Sequence, residues 1–182
     1  MRSLAIVQKI FFILKILATI IMVLCFVGAG ISLLASISVN ALSDSDIATI
    51  ISTMPIYSET FENFSIGQLS GMMFIAFVLT LTEGILALFT RRFAQAELQE
   101  GTPFTDNNVA NLRLLGILLI VLPFTSDLVI SFIIKRNGIT DMDYSGGSSM
   151  MIGLILLIAS FVLQLGIEII KEAKNRPDDP DL

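Results

Sequence analysis

Long stretches without charged residues dominate the pattern of apolar and polar positions along the chain. Three of them cover residues 16–43, 63–82 and 144–167 and contain 28, 20 and 24 residues. A fourth apolar stretch, 112–134, has a similar length but contains two charged residues. An α-helix needs about 20 apolar residues to cross the hydrocarbon core of a bilayer, so each stretch is long enough to span. The pattern predicts four membrane-spanning helices, near residues 16–39, 67–90, 112–134 and 149–170.

The composition agrees with this pattern. Apolar residues make up 54% of the 182 residues and charged residues 15%, and the mean hydropathy is +0.85. A soluble domain usually has about 25% charged residues. We therefore expect a single all-α integral membrane domain, a four-helix transmembrane bundle in contact with the lipid bilayer. The segments expected outside the membrane include 40–66, 91–111 and 171–182.

The distribution of basic residues predicts the orientation of the bundle. Nine of the 11 Lys and Arg residues lie before the first span, around the second connection or after the fourth span. Lys135 and Arg136 lie on the opposite side. Basic residues concentrate on the cytoplasmic side of membrane proteins. We therefore predict a multi-pass protein of the cell membrane in which both termini, the loop 91–111 and the acidic tail 171–182 are cytoplasmic, and the loop 40–66 is external.

The segment 4–17 is mostly apolar and its charged residues are Lys9 and Lys15, and it has two interpretations. The first membrane helix begins early and its lysines extend to the headgroups, or the segment forms a separate amphipathic helix at the membrane surface. The charge-free run that follows is longer than the apolar core of a signal peptide, which favours a retained membrane helix.

Several kinds of site lack their usual residues. The chain contains no His and one Cys, Cys25, which excludes Ser-His-Asp and Cys-His catalysis and the usual ligand sets of zinc, haem and copper. The net charge of −5 argues against direct nucleic-acid binding. We expect no cofactor, no metal site and no enzymatic activity.

Small and polar residues recur on one face of each predicted span. Helices associate in lipid through such residues, so we expect them to form the contacts within the bundle. Gly67 and Gly71 form a separate small-residue pair on the second span, suited to a second helix contact or to a homodimer. The residues of the four faces are Ala18, Cys25, Gly28, Ser32 and Ser36; Ala76, Thr80, Glu83 and Ala87; Arg113, Gly116, Asp127 and Ser131; and Gly153, Ser160, Gln164 and Glu168.

The ionisable and strongly polar side chains within the spans are the candidate site residues, because burying such groups in lipid is costly without a partner. Glu83 and Arg113 lie at similar depth on consecutive spans, so we expect Glu83 to face the bundle interior and to pair with Arg113. Glu83 and Asp127 have either a structural role or a role in transport or proton sensing. The candidates are Glu83, Arg113, Asp127, Gln164 and Glu168.

The loop 91–111 contains residues that end one helix and begin the next. Gly101 is suited to the left-handed conformation that ends a helix, and Pro103 prevents the helix from continuing. Thr105 is placed to cap the following helix, and Phe104 is expected to bury against the bundle or the membrane surface. These four residues form either a structural elbow or a surface on which a partner docks.

The same loop resembles the signature of the DUF2975 family of small four-span bacterial membrane proteins. The similar residues are 96–105, which read AELQEGTPFT, then Asn108 and 112–116, which read LRLLG. The similarity in length and number of spans extends over nearly the whole chain, whereas residues 171–177 depart from the family's C-terminal element. The resemblance implies a bacterial inner-membrane protein of a family without an established activity, often encoded beside small helix-turn-helix regulators.

Two functions are left open by these observations. The first is a non-enzymatic accessory or regulatory membrane protein that contacts a cytoplasmic partner through loop 91–111. The resemblance implies a small helix-turn-helix regulator as that partner. The second is a small transporter or efflux component, monomeric or dimeric, that uses Glu83 or Asp127.

Overall fold

The protein is all-α in the part of the chain that the structure, a computed structural model, describes. That part comprises residues 2–43, 45–46, 65–100, 105–139 and 147–175. It forms four long helices: α1 (Arg2–Val39), α2 (Ile66–Glu100), α3 (Asp106–Asn137) and α4 (Gly147–Asn175). All four are long and apolar enough to cross a membrane. This confirms the prediction of a multi-pass, all-helical membrane protein.

Helix α1 is continuous from Arg2 to Val39. Residues 4–17 are therefore the first part of the long helix, in agreement with the first of the two interpretations. A separate amphipathic helix at the membrane surface is not what the structure shows.

Helix α2 begins with a capping box. The Ser65 hydroxyl accepts a hydrogen bond from the Gln68 N–H at 3.3 Å, and the Gln68 side chain accepts one from the Ser65 N–H at 2.9 Å. The helix then continues for 35 residues, about 50 Å at the rise of an α-helix, whereas the hydrocarbon core is about 30 Å thick. Because charged residues follow position 90, we take 67–90 as the membrane-spanning segment and 91–100 as an extension beyond it.

Helix α3 ends at a left-handed glycine. Gly138 has a φ of 64°, and the N–H of Ile139 donates a hydrogen bond to the carbonyl of Ile134 at 3.1 Å. This is the Schellman arrangement that closes many helices, and glycine adopts it without the steric cost of a side chain.

Contacts divide the helices into two compact units. Helices α1, α2 and α3 each contribute a segment to both units, whereas α4 belongs to unit 1. Unit 1 comprises Met1–Met22, Ile85–Pro123 and Gly146–Leu182, and unit 2 comprises Val23–Gly84 and Phe124–Ser145.

Unit 1 contains a close crossing of α3 and α4. A Cβ atom added at Gly153 would lie 2.8 Å from the carbonyl oxygen of Gly116, and one added at Gly116 would lie 3.0 Å from that of Gly153. Ser160 is completely buried and donates a hydrogen bond to the carbonyl of Leu157. The expected use of small residues at helix contacts is confirmed here.

Unit 2 has a core of isoleucines, Ile75, Ile130, Ile133 and Ile139. Small residues again bring helices together, because a Cβ atom added at Gly84 of α2 would lie 3.3 Å from the Cβ atom of Cys25 on α1.

The glycine pair of α2 contacts the end of α3 in the same unit. A Cβ atom added at Gly71 would lie 2.8 Å from the side-chain nitrogen of Asn137, and one added at Gly67 would lie 3.6 Å from its side-chain oxygen. The pair thus makes the second helix contact that was one of its two predicted roles. Its use in a homodimer stays a prediction.

Large apolar side chains are exposed along α1, α3 and α4. Only 6% of the residues in the most apolar stretch of α1 are buried. Exposed apolar surface of this extent is unsuited to water but well suited to lipid chains, which agrees with the expected contact with a bilayer.

Candidate functional site

The first group of polar contacts lies in unit 1, where α2 ends and α3 begins, and we call this region the elbow end. Thr105 caps α3, since its hydroxyl oxygen accepts a hydrogen bond from the N–H of Asn108 at 3.2 Å. The same hydroxyl donates to the Glu100 carboxylate. The predicted capping role of Thr105 is confirmed.

Glu100 joins the two helices of the elbow end. Besides the bond from Thr105, its carboxylate accepts one from the side-chain amide of Asn107 at 2.6 Å. Both bonds favour the charged form, so first Thr105 and then Asn107 hold the pKa of Glu100 below its usual value. Gly101, Pro103 and Phe104 lie outside the described residues, and their roles as elbow or docking surface stay predictions.

Glu97 is a buried acid one turn before the end of α2. Its side chain is 6% exposed, and Ala94, three residues earlier on the same face, is completely buried. Burial, and then the negative charge of Glu100, raise the pKa of Glu97 to about 7. Sequence reasoning missed Glu97 because it lies outside the span. The signal that was available is its three-residue spacing from Ala94, which places both on one helix face.

Three of the five candidate intramembrane residues lie together in unit 1. Arg113 of α3 donates a hydrogen bond to the side-chain oxygen of Gln164 on α4, and its guanidinium carbon is 4.7 Å from the centroid of the Phe161 ring. Gln164 donates in turn to Glu168 at 3.1 Å. We call Arg113, Gln164 and Glu168 the polar row.

An ion pair also joins α3 and α4 at the elbow end. The Lys171 ammonium is 2.8 Å from the Asp106 carboxylate, and this is the single ion pair among the residues that the structure describes. Both side chains are exposed, so water screens their attraction and the pair contributes little stability.

The expectation that Glu83 faces the interior is wrong, because its side chain is exposed. The next residue, Gly84, is buried and faces Cys25 of α1. The partners that the structure shows for Arg113 are Gln164 and Phe161. Because Glu83 belongs to unit 2 and Arg113 to unit 1, an interaction between the two stays a prediction.

Asp127 belongs to unit 2 and is partly buried. Its Oδ1 atom is buried, and in the described part of the chain it has no hydrogen-bond partner. The preceding residue, Ser126, shares a hydrogen bond of 2.6 Å with Thr82 of α2. Asp127 is thus the candidate residue whose side chain retains an unsatisfied buried oxygen.

Sequence reasoning also missed a polar network in unit 2. Asn40 donates to the Ser70 hydroxyl at 2.8 Å and to the carbonyl of Ser36 at 2.9 Å, and the Ser36 hydroxyl donates to the carbonyl of Ser70 at 3.1 Å. Ser36 was expected at a helix contact, but polar residues near the ends of spans, such as Asn40 and Ser70, are too common to indicate one.

Neither the described acidic and cysteine side chains nor the comparison with other proteins points to a known activity. The described residues contain no group of three or more His, Cys, Asp or Glu that could hold a metal ion. Comparison of the chain with protein-family models, curated proteins and solved structures finds no match. The resemblance to the DUF2975 family therefore stays a prediction, and a proposal about function has to rest on the chain itself.

Proposed function

We propose that the protein is a non-enzymatic membrane protein with an accessory or regulatory role that binds a cytoplasmic partner through residues 91–111. The observation that carries this proposal is that α2 continues to Glu100, past the predicted span 67–90, and that Glu100 is hydrogen-bonded to Thr105 and Asn107 at the start of α3.

The elbow end has an ordered polar surface that suits a protein partner. Arg92, Gln99 and Asn107 are exposed, whereas Ala94 and Glu97 are buried. A guanidinium and two amides supply hydrogen-bond donors and acceptors. Because hydrogen bonds already order the backbone that presents them, binding loses less conformational entropy than it would on a flexible loop.

We place the elbow end and both chain termini on the cytoplasmic side of the cell membrane, on the basis of the nine-to-two distribution of basic residues. Single cysteines at the exposed positions Gln99 and Ala41, in a Cys25→Ala background, test this orientation. A membrane-impermeant maleimide should label position 41 in intact cells and position 99 only after permeabilisation. The reverse pattern would contradict the orientation.

Site-specific photo-cross-linking in cells tests the proposed partner. A photoreactive amino acid at the exposed positions Gln99 and Ala110 should cross-link one cytoplasmic protein, and the same residue at the lipid-facing position Ile158 serves as the control. The family resemblance supports a small helix-turn-helix regulator as that protein. Absence of a cross-link at both test positions, or an equal cross-link at position 158, would contradict the proposal.

A small transporter or efflux component is the second candidate function, and the unsatisfied oxygen of Asp127 favours it. A carboxylate oxygen that is buried without a hydrogen-bond partner inside a membrane span is costly unless an ion or a proton uses it. In proteoliposomes, Asp127→Asn should abolish ion-coupled flux if the protein is a transporter. If the first function holds, wild-type proteoliposomes should show no flux above protein-free vesicles.

A further inference from the structure

A cavity of about 400 Å³ opens in unit 2 at the end where α1 ends and α2 begins. Its lining comes from three helices, α1, α2 and α3. The volume lies within the range of pockets that hold small ligands. No described residue of the loop 91–111 or of the polar row is among those that line it.

The floor of the cavity is polar and ordered. Ser36, Asn40 and Ser70 line it, and the hydrogen bonds among them described above hold their side chains in place. Asn137 also lines the cavity, and its amide nitrogen donates one hydrogen bond, to the carbonyl of Ile133 at 2.9 Å. An amide nitrogen has two hydrogens, so the second remains for a ligand that accepts a hydrogen bond.

Gly67 and Gly71 line the cavity from the first two turns of α2. Their lack of a side chain leaves room for Asn137, which lines the cavity beside them. The beginning of a helix also carries the positive end of the helix dipole, which favours an anion in front of it.

The wall formed by α3 is apolar and continues onto the outer surface of the protein. Val129 and Phe132 line the cavity together with Phe74, and they are 43% and 65% exposed. Leu128 and Phe124 extend this exposed apolar surface along the same helix. A hydrocarbon chain that leaves the cavity along α3 would therefore remain in contact with apolar side chains.

Arg136 is the single charged residue among those described as lining the cavity, and none of them is acidic. It lies in the last turn of α3, where the side chain of a membrane helix reaches the level of the lipid headgroups. A guanidinium binds phosphate oxygens well, because its donors match the geometry of two oxygens at once.

We propose that this cavity binds an anionic phospholipid. The phosphate of the headgroup lies against Arg136 and the amide of Asn137, and one acyl chain follows Val129 and Phe132 along α3. The cavity, its polar floor, its apolar exit and its cation together match an amphiphile with a negative head better than a wholly polar or wholly apolar ligand.

Lipid binding to the purified full-length protein in detergent tests the chemistry of the ligand. Native mass spectrometry should show phosphatidylglycerol binding at least tenfold more tightly than phosphatidylcholine with the same acyl chains. Inorganic phosphate at millimolar concentration should not displace the lipid, because it has no chain to bury. Equal affinity for the two lipids, or displacement by phosphate alone, would overturn the proposal.

Matched substitutions locate the site. Arg136→Gln should weaken phosphatidylglycerol binding about tenfold, the usual effect of losing a hydrogen bond to a charged group, whereas Lys135→Gln, at the neighbouring cation outside the cavity, should leave it unchanged. Val129→Trp should block the apolar exit and reduce binding, and Ile158→Trp, at a lipid-facing position of α4 that does not line the cavity, is its control. The side chains of Arg136 and Lys135 are both exposed, so the two glutamine variants should fold normally, and thermal unfolding checks this. Equal effects of the Arg136 and Lys135 variants would overturn the proposal.

Discussion

The guanidinium of Arg113 lies over the ring of Phe161, with its central carbon 4.7 Å from the ring centroid. The same guanidinium donates a hydrogen bond to Gln164, one turn further along α4. Its two partners are thus an aromatic face and an amide oxygen, neither of which carries a charge. Both contacts compensate part of the cost of keeping a cation in a membrane helix.

Gln164→Leu should lower the free energy of unfolding by about 1–3 kcal/mol, because it removes the acceptor of a hydrogen bond from a charged donor. Reversible unfolding in mixed detergent measures this loss. In a double-mutant cycle with Arg113→Leu, the double variant should lose less than the sum of the single variants, since both remove one interaction. Strictly additive losses would contradict a direct coupling between the two side chains.

Gly153→Ala should destabilise the crossing of α3 and α4 by about 1–3 kcal/mol, because the new methyl group would lie 2.8 Å from a backbone oxygen that cannot move without shifting α3. Gly166→Ala on the same helix is the matched control, as a Cβ atom there has no neighbour within 4 Å. The control should be neutral or slightly stabilising, because alanine is the better helix former. Thermal unfolding of both variants measures the difference in stability. Equal stability of the two would contradict the close crossing.

Thr105→Ala should cost about 1 kcal/mol, because it removes the side-chain cap of α3. It also removes one of the two hydrogen bonds to Glu100, so limited proteolysis should cut faster between residues 100 and 106. Thr105→Ser retains the hydroxyl and should behave like the wild type. A serine variant that is as sensitive as the alanine variant would show that the methyl group, rather than the cap, is what matters.

Glu97 should make stability depend on pH. Its pKa is about 7 in the folded protein, against an ordinary value of 4.5, so the unfolded chain binds fewer protons between these values. The free energy of unfolding should therefore fall as the pH rises from about 4.5 to about 7 and change little above that. Glu100, whose pKa is lowered, has the opposite sign and loses its contribution at pH values below this window.

Unfolding measured across this pH range checks the prediction. Glu97→Gln should remove the decrease between pH 4.5 and 7, because glutamine stays neutral. Glu172→Gln, at an exposed acid on α4, is the control and should retain it. A wild-type profile that is flat over the window would contradict the burial of an ionisable Glu97.

The membrane-spanning helices could be predicted from the sequence because the hydrocarbon core of a bilayer excludes charged residues, so long stretches without charge mark the spans. Helix ends depend on local chemistry, and there the sequence was informative in part: Thr105 caps α3 as expected, and Ser65 with Gln68 has the spacing of the capping box that begins α2. These signals need only a few neighbouring residues, so a sequence can carry them.

The side-chain partners could not be predicted in the same way. The expectation that Glu83 faces the interior was drawn from its depth along the span, but depth does not determine which direction a side chain points around the helix axis. The exposure of Glu83 and the contact of Arg113 with Gln164 both follow from rotation about that axis. Glu97 was missed because it lies beyond the predicted span; its spacing from Ala94 places both on one helix face, but the packing of neighbouring helices determines that this face is buried.

Helix α1 exposes apolar side chains over most of its length, and in a bilayer this exposure determines which of its residues can change. Leu24, Ile31 and Leu34 are more than 60% exposed. At these positions lipid chains would solvate any large apolar side chain equally well. Ala29 and Ser36 are buried against other helices, where shape matters as well as polarity. Sequence divergence should therefore be fast along the lipid-facing surface of α1 and slow at its few contact residues. Distant relatives would share a spacing of small residues rather than a recognisable string of letters.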